Sequence, residues 1–300
     1  MKKNFTQHYN LKKKGIHFFD IPIENDTQAF ICPFLIENNK ELDIIKKVQF
    51  QINSFLTILN KDYISKNERV KGLNFLSHLH EPNEYHLGYS DKNKGQAVSD
   101  IRSGLIFNAL RSNKFAKQGL NITNEANNVL LLVKGIGQDI MSDIIANVCR
   151  NIFAEFTQEI CLKNGIQTKE FVIEFYDPNT RNWAIRNIEL PFHNNKRIIL
   201  IPKEIVSGSR EYSNLYNWFI AKNYISLEIL KEKPSPKVNK FIVQLKDKTR
   251  KAIIKKIYKV YRKPKNELIE FVLKYKGSLD DFIRYAKENY PALEIETIVK

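Results

Sequence analysis

The feature that most constrains the fold is an apolar run joined by a glycine turn to a long amphipathic segment. The run NVLLLV spans residues 128–133, and the turn GIGQDIMSD spans residues 135–143. A short apolar run bounded by turn residues is typical of a buried strand, and the amphipathic segment that follows predicts a helix as far as Cys161. Asn164 and Gly165 then provide a helix stop. The sequence therefore predicts a strand, a turn and a helix in succession.

Other segments predict a small sheet and several helices around this unit. Runs rich in β-branched and aromatic residues predict strands at residues 17–23, 28–36, 170–176, 182–190 and 197–203. The second of these is interrupted at Pro33, and the last ends at Pro202. The turn built on Asp177 and Pro178 joins two of the strands into an antiparallel hairpin. Apolar residues at helical spacing predict helices at residues 42–59, 99–113 and 209–230. The expected fold class is α/β in the broad sense, a mixed α+β fold whose small mixed sheet is flanked by helices.

A change of composition divides the chain. The segment from Lys231 to Lys237, KEKPSPK, is a charged hinge with two prolines, and two or three helices are predicted beyond it. We therefore expect a mixed α/β core domain with the candidate site over residues 1–230, and a basic helical C-terminal lobe over residues 231–300.

The charge of the chain predicts a polyanionic partner. The formal net charge is +15 and the isoelectric point is about 9.5. A basic excess of this size is typical of proteins that bind nucleic acid. Because lysine, asparagine and isoleucine are abundant, an AT-rich coding bias is an alternative source of part of the excess.

Cysteine spacing and hydropathy predict the compartment. Cys32, Cys149 and Cys161 lie far apart without a CxxC pair, which is typical of a reducing environment. The last two fall on the apolar side of the predicted helix, so we expect buried free thiols. No apolar run approaches the roughly 20 residues that span a bilayer. We expect a cytoplasmic protein without a membrane partner.

Two acids at the start of the predicted helix have two interpretations. An aspartate just before a helix accepts hydrogen bonds from the first N–H groups, which would explain Asp139, and the helix dipole favours an acid such as Asp143 in the first turn. Positions four apart also share one helix face, so both carboxylates could bind one divalent cation. The two interpretations are compatible for Asp139.

The polar loop over residues 77–96 is the second candidate region. Nine positions of it hold three of the six histidines and two acids, namely His78, His80, Glu81, Glu84 and His86. Two glutamates around a proline suit Mg²⁺ or Mn²⁺, whereas a zinc site would need ligand pairs on ordered elements. A solvated histidine-rich loop is the alternative.

Lys203, directly after the last predicted strand, is the third candidate. Metal-dependent nucleases combine carboxylate ligands with a lysine that stabilises developing charge or positions water. The order of elements is compatible with the PD-(D/E)xK nuclease fold, but the motif itself is absent. An ordinary surface lysine is the alternative interpretation.

Basic and aromatic residues alternate in the C-terminal lobe. The candidate nucleic-acid-binding residues are Lys255, Lys256, Tyr258, Lys259, Tyr261, Arg262 and Lys263. Lysine and arginine can neutralise phosphates while tyrosine packs on sugars or bases. The alternative is a solvated helix whose isoleucines face the core, and both descriptions can hold on opposite faces of one helix.

Four segments carry a family resemblance. CPFLIE, HEPNEYHLGYS, GIGQDIMSDIIANV and ILIPKEIV occur in this order within roughly the first 230 residues. The chain in this respect loosely resembles uncharacterised prokaryotic proteins of restriction and anti-phage defence loci. The resemblance implies a defence role, with partner proteins in a defence complex, and it transfers no catalytic residue.

These observations predict a nucleic-acid-acting protein of prokaryotic defence. The first hypothesis is a divalent-metal-dependent nuclease or nuclease-like subunit, in which Glu81, Glu84, Asp139 and Asp143 hold Mg²⁺ or Mn²⁺. The alternative is a non-catalytic nucleic-acid-binding or adaptor subunit of a multi-protein complex. A third hypothesis is a nucleotide-binding sensor that uses the glycines of the turn.

Overall fold

The computed structural model describes residues 3–88, 99–112 and 121–293. The chain forms two compact units. The first runs to Arg210 and includes the residues from Lys287 onward, and the second is Glu211–Ala286. The division at Glu211 lies upstream of Lys231, so the second unit contains helical residues that the sequence groups with the core domain.

The first unit is mainly helical. The α-helices in its described part are α1 (Phe5–His8), α2 (Pro33–Asn38), α3 (Asp43–Ile58), α4 (Arg69–Leu76), α5 (Ser99–Ser112), α6 (Ala126–Leu132), α7 (Gln138–Val148) and α8 (Arg150–Asn164). The strands are β1 (Phe30–Ile31), β2 (Lys169–Asp177), β3 (Asn182–Leu190), β4 (Phe192–His193), β5 (Lys196–Arg197) and β6 (Val206–Ser207). They pair antiparallel, β1 with β6, β2 with β3 and β4 with β5. Helices combined with small antiparallel pairs make a mixed α+β fold, which confirms the expected class.

Helix α3 packs against several elements of the first unit, as its amphipathic sequence predicts. Val48 and Phe55 lie on its buried face. From the same helix, Gln51 Nε2 donates to the carbonyl oxygens of Val148 and Tyr176, each at 2.7 Å. These bonds tie the end of α7 and strand β2 to α3.

The run NVLLLV is the largest correction to the sequence analysis. It belongs to helix α6 instead of a strand, and every residue of that helix is buried. A helix buried on all sides has an unbroken apolar sequence, so periodicity does not distinguish it from a buried strand. The predicted succession of strand, turn and helix is therefore helix, turn and helix.

The long helix predicted after the glycine turn is two helices. Gly137 precedes α7 in an extended conformation, and Cys149 (φ −98°, ψ 17°) separates α7 from α8. Helix α8 ends at Gly165, whose φ of +63° is the helix stop that the sequence predicts. Cys149 and Cys161 are buried free thiols, as predicted.

Several predicted strands have another structure. Pro33 begins helix α2, because proline suits the first turn of a helix, where its missing N–H is not needed. The first predicted strand contributes two isolated bridges, one between Phe18 and Pro202 and one between Pro22 and Asn4. In the last predicted strand Arg197 pairs in β5, and residues 198–201 are buried beyond the end of that ladder.

The hairpin predicted around Asp177 is confirmed. Strands β2 and β3 pair from Lys169 with Leu190 to Asp177 with Asn182. In the turn, Asp177 Oδ1 accepts from the N–H of Asn179 at 2.9 Å. This is the side-chain hydrogen bond by which aspartate favours turns.

The second unit is helical with one short hairpin. Its helices are α9 (Tyr212–Ile220), α10 (Ser226–Lys231), α11 (Pro236–Asn239), α12 (Ile254–Tyr261), α13 (Ile269–Lys274) and α14, which begins in this unit (Ser278–Asn289). The hairpin of β7 (Ile242–Gln244) and β8 (Arg250–Ala252) is not predicted by the sequence analysis. The Phe282 ring packs 5.1 Å from Tyr216 and 5.4 Å from Phe219. In the described part of the chain, no helix has the length and apolar character needed to cross a membrane.

Gly72 in α4 and Gly104 in α5 form a matched pair for testing the helix packing. We expect Gly72→Ala to lower the free energy of unfolding by about 1–3 kcal/mol, because its Cβ would clash with the Phe107 ring. Gly104→Ala should raise it by about 0.5–1 kcal/mol, since the space around its Cβ is open and alanine favours helix. Urea denaturation measures both changes. Equal effects would contradict the close packing of Phe107 on α4.

Candidate functional site

Three acids predicted from the sequence converge on one arginine. Arg102, on helix α5, donates from Nη1 to Glu81 Oε2 at 3.0 Å. Its Nη2 donates to Asp143 Oδ2 and lies 3.9 Å from Asp139 Oδ2. The side chains of Glu81 and Asp139 are 35% and 40% exposed, whereas that of Asp143 is 13% exposed. We call Arg102 and these three acids the Arg102 cluster.

The start of helix α7 explains why two of the acids share a face. Gly137 precedes the helix, Asp139 lies in its first turn, and Asp143 follows one turn later. The N-cap residue is therefore a glycine without a side-chain hydrogen bond, so the capping interpretation of Asp139 is wrong. Asp143 also lies beyond the first turn, where the helix dipole is weaker. Both carboxylates contact Arg102 instead.

Burial raises the pKa values of Asp139 and Asp143. Burial raises the pKa of Asp143 to about 8, with Arg102 opposing the shift and Asp139 and Glu81 adding to it. Burial also raises the pKa of Asp139, again against the influence of Arg102. One guanidinium faces three carboxylates, so its influence on the pKa of Asp143 does not overcome that of burial.

Asp26 is a fourth acid beside the cluster, and the sequence analysis missed it. Burial raises its pKa to about 6, and Glu81 adds to the shift. Its Oδ1 is buried and has no hydrogen-bond partner among the described residues. The adjacent Thr27 donates its N–H to His86 O at 2.9 Å, which brings this segment beside residues 81–88. No local pattern marks Asp26, because its neighbours come from a distant part of the chain.

Glu84 does not join the other predicted metal ligands. Its carboxylate is buried and accepts from Arg150 Nε at 2.7 Å and from Arg197 Nη2 at 3.2 Å. Burial alone raises the pKa of Glu84, but the two arginines outweigh burial and hold the pKa below its usual value. The structure thus separates Glu84, an acid with two cationic partners, from three acids that share one.

Asn147 connects these two charged groups along helix α7. Its Nδ2 donates to His80 O at 2.7 Å and to Asp143 O at 2.8 Å. Its Oδ1 accepts from Arg150 Nη2 at 2.6 Å and from His80 N at 3.3 Å. These bonds hold residues 77–88 against α7. The sequence analysis predicts only a polar loop for this segment.

The three histidines of this segment differ in burial, since His78 is half-buried, His80 is exposed and His86 is buried. His78 Nδ1 lies 2.7 Å from Glu174 Oε1, and His80 Nε2 lies 3.9 Å from Glu174 Oε2. His86 is buried, and burial lowers its pKa to about 4, so its ring is neutral. Residues 89–96 of the predicted loop lie outside the described residues.

Lys203, the predicted catalytic lysine, contacts the N-terminal part of the chain. Its Nζ donates to Ile16 O at 2.7 Å, and its backbone N–H donates to His17 O at 3.3 Å. The side-chain and backbone N–H groups of Lys203 therefore both donate to the backbone of residues 16–17.

Most of the basic residues predicted to bind nucleic acid are exposed. The exposed members in and directly after helix α12 are Lys255, Lys256, Lys259, Tyr261 and Arg262. Lys263 pairs with Glu270 at 2.6 Å, and Tyr258 packs 5.4 Å from the partly exposed Trp218. The β7–β8 hairpin adds exposed lysines at Lys246, Lys248 and Lys251. We call Lys255, Lys256, Lys259 and Arg262 the α12 basic face.

The described residues contain no ready metal site. In residues 3–88, 99–112 and 121–293, no three or more His, Cys, Asp or Glu side chains are grouped so as to hold a metal ion. In the Arg102 cluster the carboxylates surround a guanidinium, which occupies the space between them. A cation at this place would therefore have to displace the Arg102 side chain.

Sequence comparison assigns the chain to a family. Residues 10–214 match DUF8370, a domain of unknown function. Because the match covers more than half of the chain, the chain belongs to this family. No curated protein and no solved structure matches the chain. The matched region contains the Arg102 cluster and the buried Glu84, and it ends before the α12 basic face.

Replacement of Glu84 tests its structural role. Glu84→Gln leaves Arg150 and Arg197 without an anion, so we expect the free energy of unfolding to fall by about 3–5 kcal/mol. Glu81→Gln is the control at a side chain 35% exposed, where the expected loss is below about 1 kcal/mol. Urea denaturation at neutral pH measures both, and similar losses would contradict the structural role of Glu84. Since the pKa of Glu84 is lowered, its contribution in the wild type is present above its unfolded pKa of 4.5 and is lost as the pH falls through its folded value.

Proposed function

We propose that this member of the DUF8370 family acts on nucleic acid as a divalent-metal-dependent phosphodiesterase. Mg²⁺ or Mn²⁺ would be held by Glu81, Asp139 and Asp143, with Asp26 beside them. The observation that carries the proposal is the convergence of three carboxylates on the largely buried guanidinium of Arg102.

The charge balance of the Arg102 cluster favours a further cation. Three carboxylates around one guanidinium leave an excess of negative charge, and Asp26 adds a fourth acid. Burial and this excess together raise the pKa values of Asp143 and Asp26 to about 8 and about 6. A divalent cation would compensate the charge and release the protons, because carboxylates bind metal in their ionised form. Oxygen ligands of this kind suit Mg²⁺ and Mn²⁺.

Arg102 has two roles in the proposal. Its side chain occupies the space between the carboxylates, so a cation binds only when that side chain rotates away. The displaced guanidinium is then beside the cation, where its paired N–H donors suit a phosphate group. The cation itself would lower the pKa of a bound water and stabilise charge on the phosphoryl oxygens.

The proposed catalytic set is smaller than the one that the sequence predicts. Glu84 already pairs with Arg150 and Arg197, and the Nζ of Lys203 already donates to a backbone carbonyl. Both residues therefore stabilise the framework, and neither is included in the proposed site.

Nucleic acid is the proposed substrate because of the charge of the chain. The net charge is +15, and the α12 basic face is exposed. Lysine and arginine that neutralise phosphates contribute most of the affinity for nucleic acid that does not depend on base sequence. A role in phage defence rests on the sequence resemblance alone.

Asparagine substitutions test the metal ligands. We expect Asp139→Asn and Asp143→Asn to abolish cleavage of plasmid, single-stranded DNA or RNA in Mg²⁺ or Mn²⁺, because an amide lacks the charge that holds the cation. EDTA should abolish the wild-type activity. Asp43→Asn, at an exposed acid in the first turn of α3, is the matched control and should keep full activity. Full activity of Asp143→Asn, or of the wild type in EDTA, would rule out the proposed site.

The same proposal is tested without a substrate by calorimetric titration with Mn²⁺. The affinity should rise between about pH 6 and about pH 8, because the cation competes with the protons held by Asp26 and Asp143. Arg102→Met should tighten Mn²⁺ binding, since the cation no longer has to displace a guanidinium. Weaker binding by this variant would contradict the proposed place of the cation.

A non-catalytic nucleic-acid-binding or adaptor protein is the second candidate. The exposed α12 basic face favours it, because binding by such a face needs no catalytic group. In that case the Arg102 cluster only stabilises residues 77–88. The wild type would then bind nucleic acid and cleave none in any divalent metal.

Removal of charge from the α12 basic face tests binding for both candidates. We expect Lys255→Gln, Lys256→Gln and Lys259→Gln together to make the slope of log affinity against log salt shallower by about 2–3, because each lost phosphate contact releases fewer counterions. Fluorescence anisotropy with labelled DNA and RNA at several salt concentrations measures the slope. The control replaces three exposed lysines of the first unit by glutamine, at Lys46, Lys47 and Lys61. An equal change in both triple variants would show that net charge alone determines the affinity.

A further inference from the structure

A cavity of about 670 Å³ lies in the first unit between residues 9–18, which we call the N-terminal loop, and helix α8. Its volume is within the range of about 300–1,000 Å³ that is typical of small-molecule sites. The cavity shares no lining residue with the Arg102 cluster, and the proposed function does not use it.

The charged residues of the cavity are mostly lysines. Lys12 and Lys14 come from the loop and Lys163 from α8, and all three are exposed. Glu159 is the one acid among the lining residues, so the positive charges outnumber the negative one. A ligand with one or more phosphate groups would meet several charged N–H donors here.

The remaining surface of the cavity is apolar. Leu11 and Ile16 of the loop and Phe156 and Ile160 of α8 line it, and each is only half-buried. Apolar side chains in the core of this unit are almost fully covered, whereas these four leave part of their surface open inside a concave site. A ligand therefore needs an apolar or aromatic part as well as an anionic part.

The walls of the cavity are held by hydrogen bonds. At one end of the loop, Leu11 N donates to Thr6 O at 2.8 Å. At the other end, Lys203 Nζ donates to Ile16 O at 2.7 Å. Because both ends of the loop are tied to the framework, the site is largely formed before a ligand binds.

We propose that this cavity binds a nucleotide. The base would pack against the apolar side chains, and the phosphates would contact Lys12, Lys14 and Lys163. The same chemistry is offered by a free nucleoside phosphate and by the 5′-phosphorylated terminal nucleotide of a strand. Inorganic phosphate would leave the apolar surface uncovered, so it fits only part of the site.

Fluorescence titration of the full-length chain with mant-ADP tests the proposal. The wild type should bind saturably, and Lys12→Gln, Lys14→Gln and Lys163→Gln should each weaken binding about tenfold, the usual scale for losing a charged hydrogen bond. Lys13→Gln is the matched control, because Lys13 lies between two of these lysines in the sequence, is exposed, and is not among the lining residues. No saturable binding, or an equal loss in Lys13→Gln, would overturn the proposal.

Competition experiments identify the part of the ligand that is bound. Unlabelled ADP should displace mant-ADP at much lower concentration than pyrophosphate does, since pyrophosphate lacks the base. Equal potency of the two would contradict the role of the apolar surface. If a 5′-phosphorylated oligonucleotide displaces the probe and its 5′-hydroxyl counterpart does not, the ligand is a strand end, whereas displacement by ADP alone identifies a free nucleotide. Equal displacement by the two oligonucleotides would overturn the proposal in favour of unspecific backbone binding. These outcomes do not depend on whether the Arg102 cluster cleaves nucleic acid.

Discussion

The buried carboxylate of Glu84 is the interaction on which the rest of the first unit depends. Two guanidiniums, those of Arg150 and Arg197, reach it from helix α8 and from strand β5. The backbone takes part as well, since Ile199 N donates to Glu84 O at 2.9 Å and Arg150 Nη1 donates to Glu174 O on strand β2 at 2.7 Å. The Arg150 side chain is almost fully buried, and removing a guanidinium from water is costly unless an anion pairs with it, so these four parts of the chain stabilise one another when they come together. Residues 77–88 are therefore anchored to α8 and β5 by their own buried acid.

This arrangement also determines what the neighbouring acids can do. With Glu84 directed inward, Glu81 is left beside helix α7, where it meets Asp143 and Arg102. The two charged groups differ in their balance, because one carboxylate has two guanidiniums while three carboxylates share one. The two arginines lower the pKa of Glu84. Burial, together with the neighbouring carboxylates, raises the pKa of Asp143. A buried carboxylate that pairs with two arginines stabilises a fold, whereas a group with excess negative charge and a raised pKa is typical of places where proteins bind cations or transfer protons.

The structure shows which inferences a single sequence supports. Helices α3 and α5 and the hairpin of β2 and β3 follow from periodicity and turn residues within one element, and all three are confirmed. Helix α6 was predicted as a strand because its burial on all sides removes the periodic signal. The sequence analysis treats Glu81 and Glu84 as one pair, but Glu84 lies within the short 3-10 turn Asn83–Tyr85 and is buried. Arg102 and Asp26 have no local motif, because each reaches the site through contacts with distant elements. Two of the proposed ligands, Asp139 and Asp143, were found because the helix start places them on one face.

In the proposed function, the carboxylates of the Arg102 cluster oppose the binding of nucleic acid that the basic residues favour. A strand of nucleic acid that approaches the Arg102 cluster meets carboxylates that repel it, whatever affinity the lysines elsewhere supply. A divalent cation between the carboxylates and a phosphate removes that repulsion, and the phosphate in turn gives the cation a further oxygen ligand. Cation and nucleic acid therefore strengthen each other's binding, and because such coupling is reciprocal, each raises the affinity of the other by the same factor. With Arg102 in the cluster and no cation, the same acids only hold residues 77–88 in place. In the proposed function, displacement of the Arg102 side chain is therefore the step that converts a structural group of acids into a metal site.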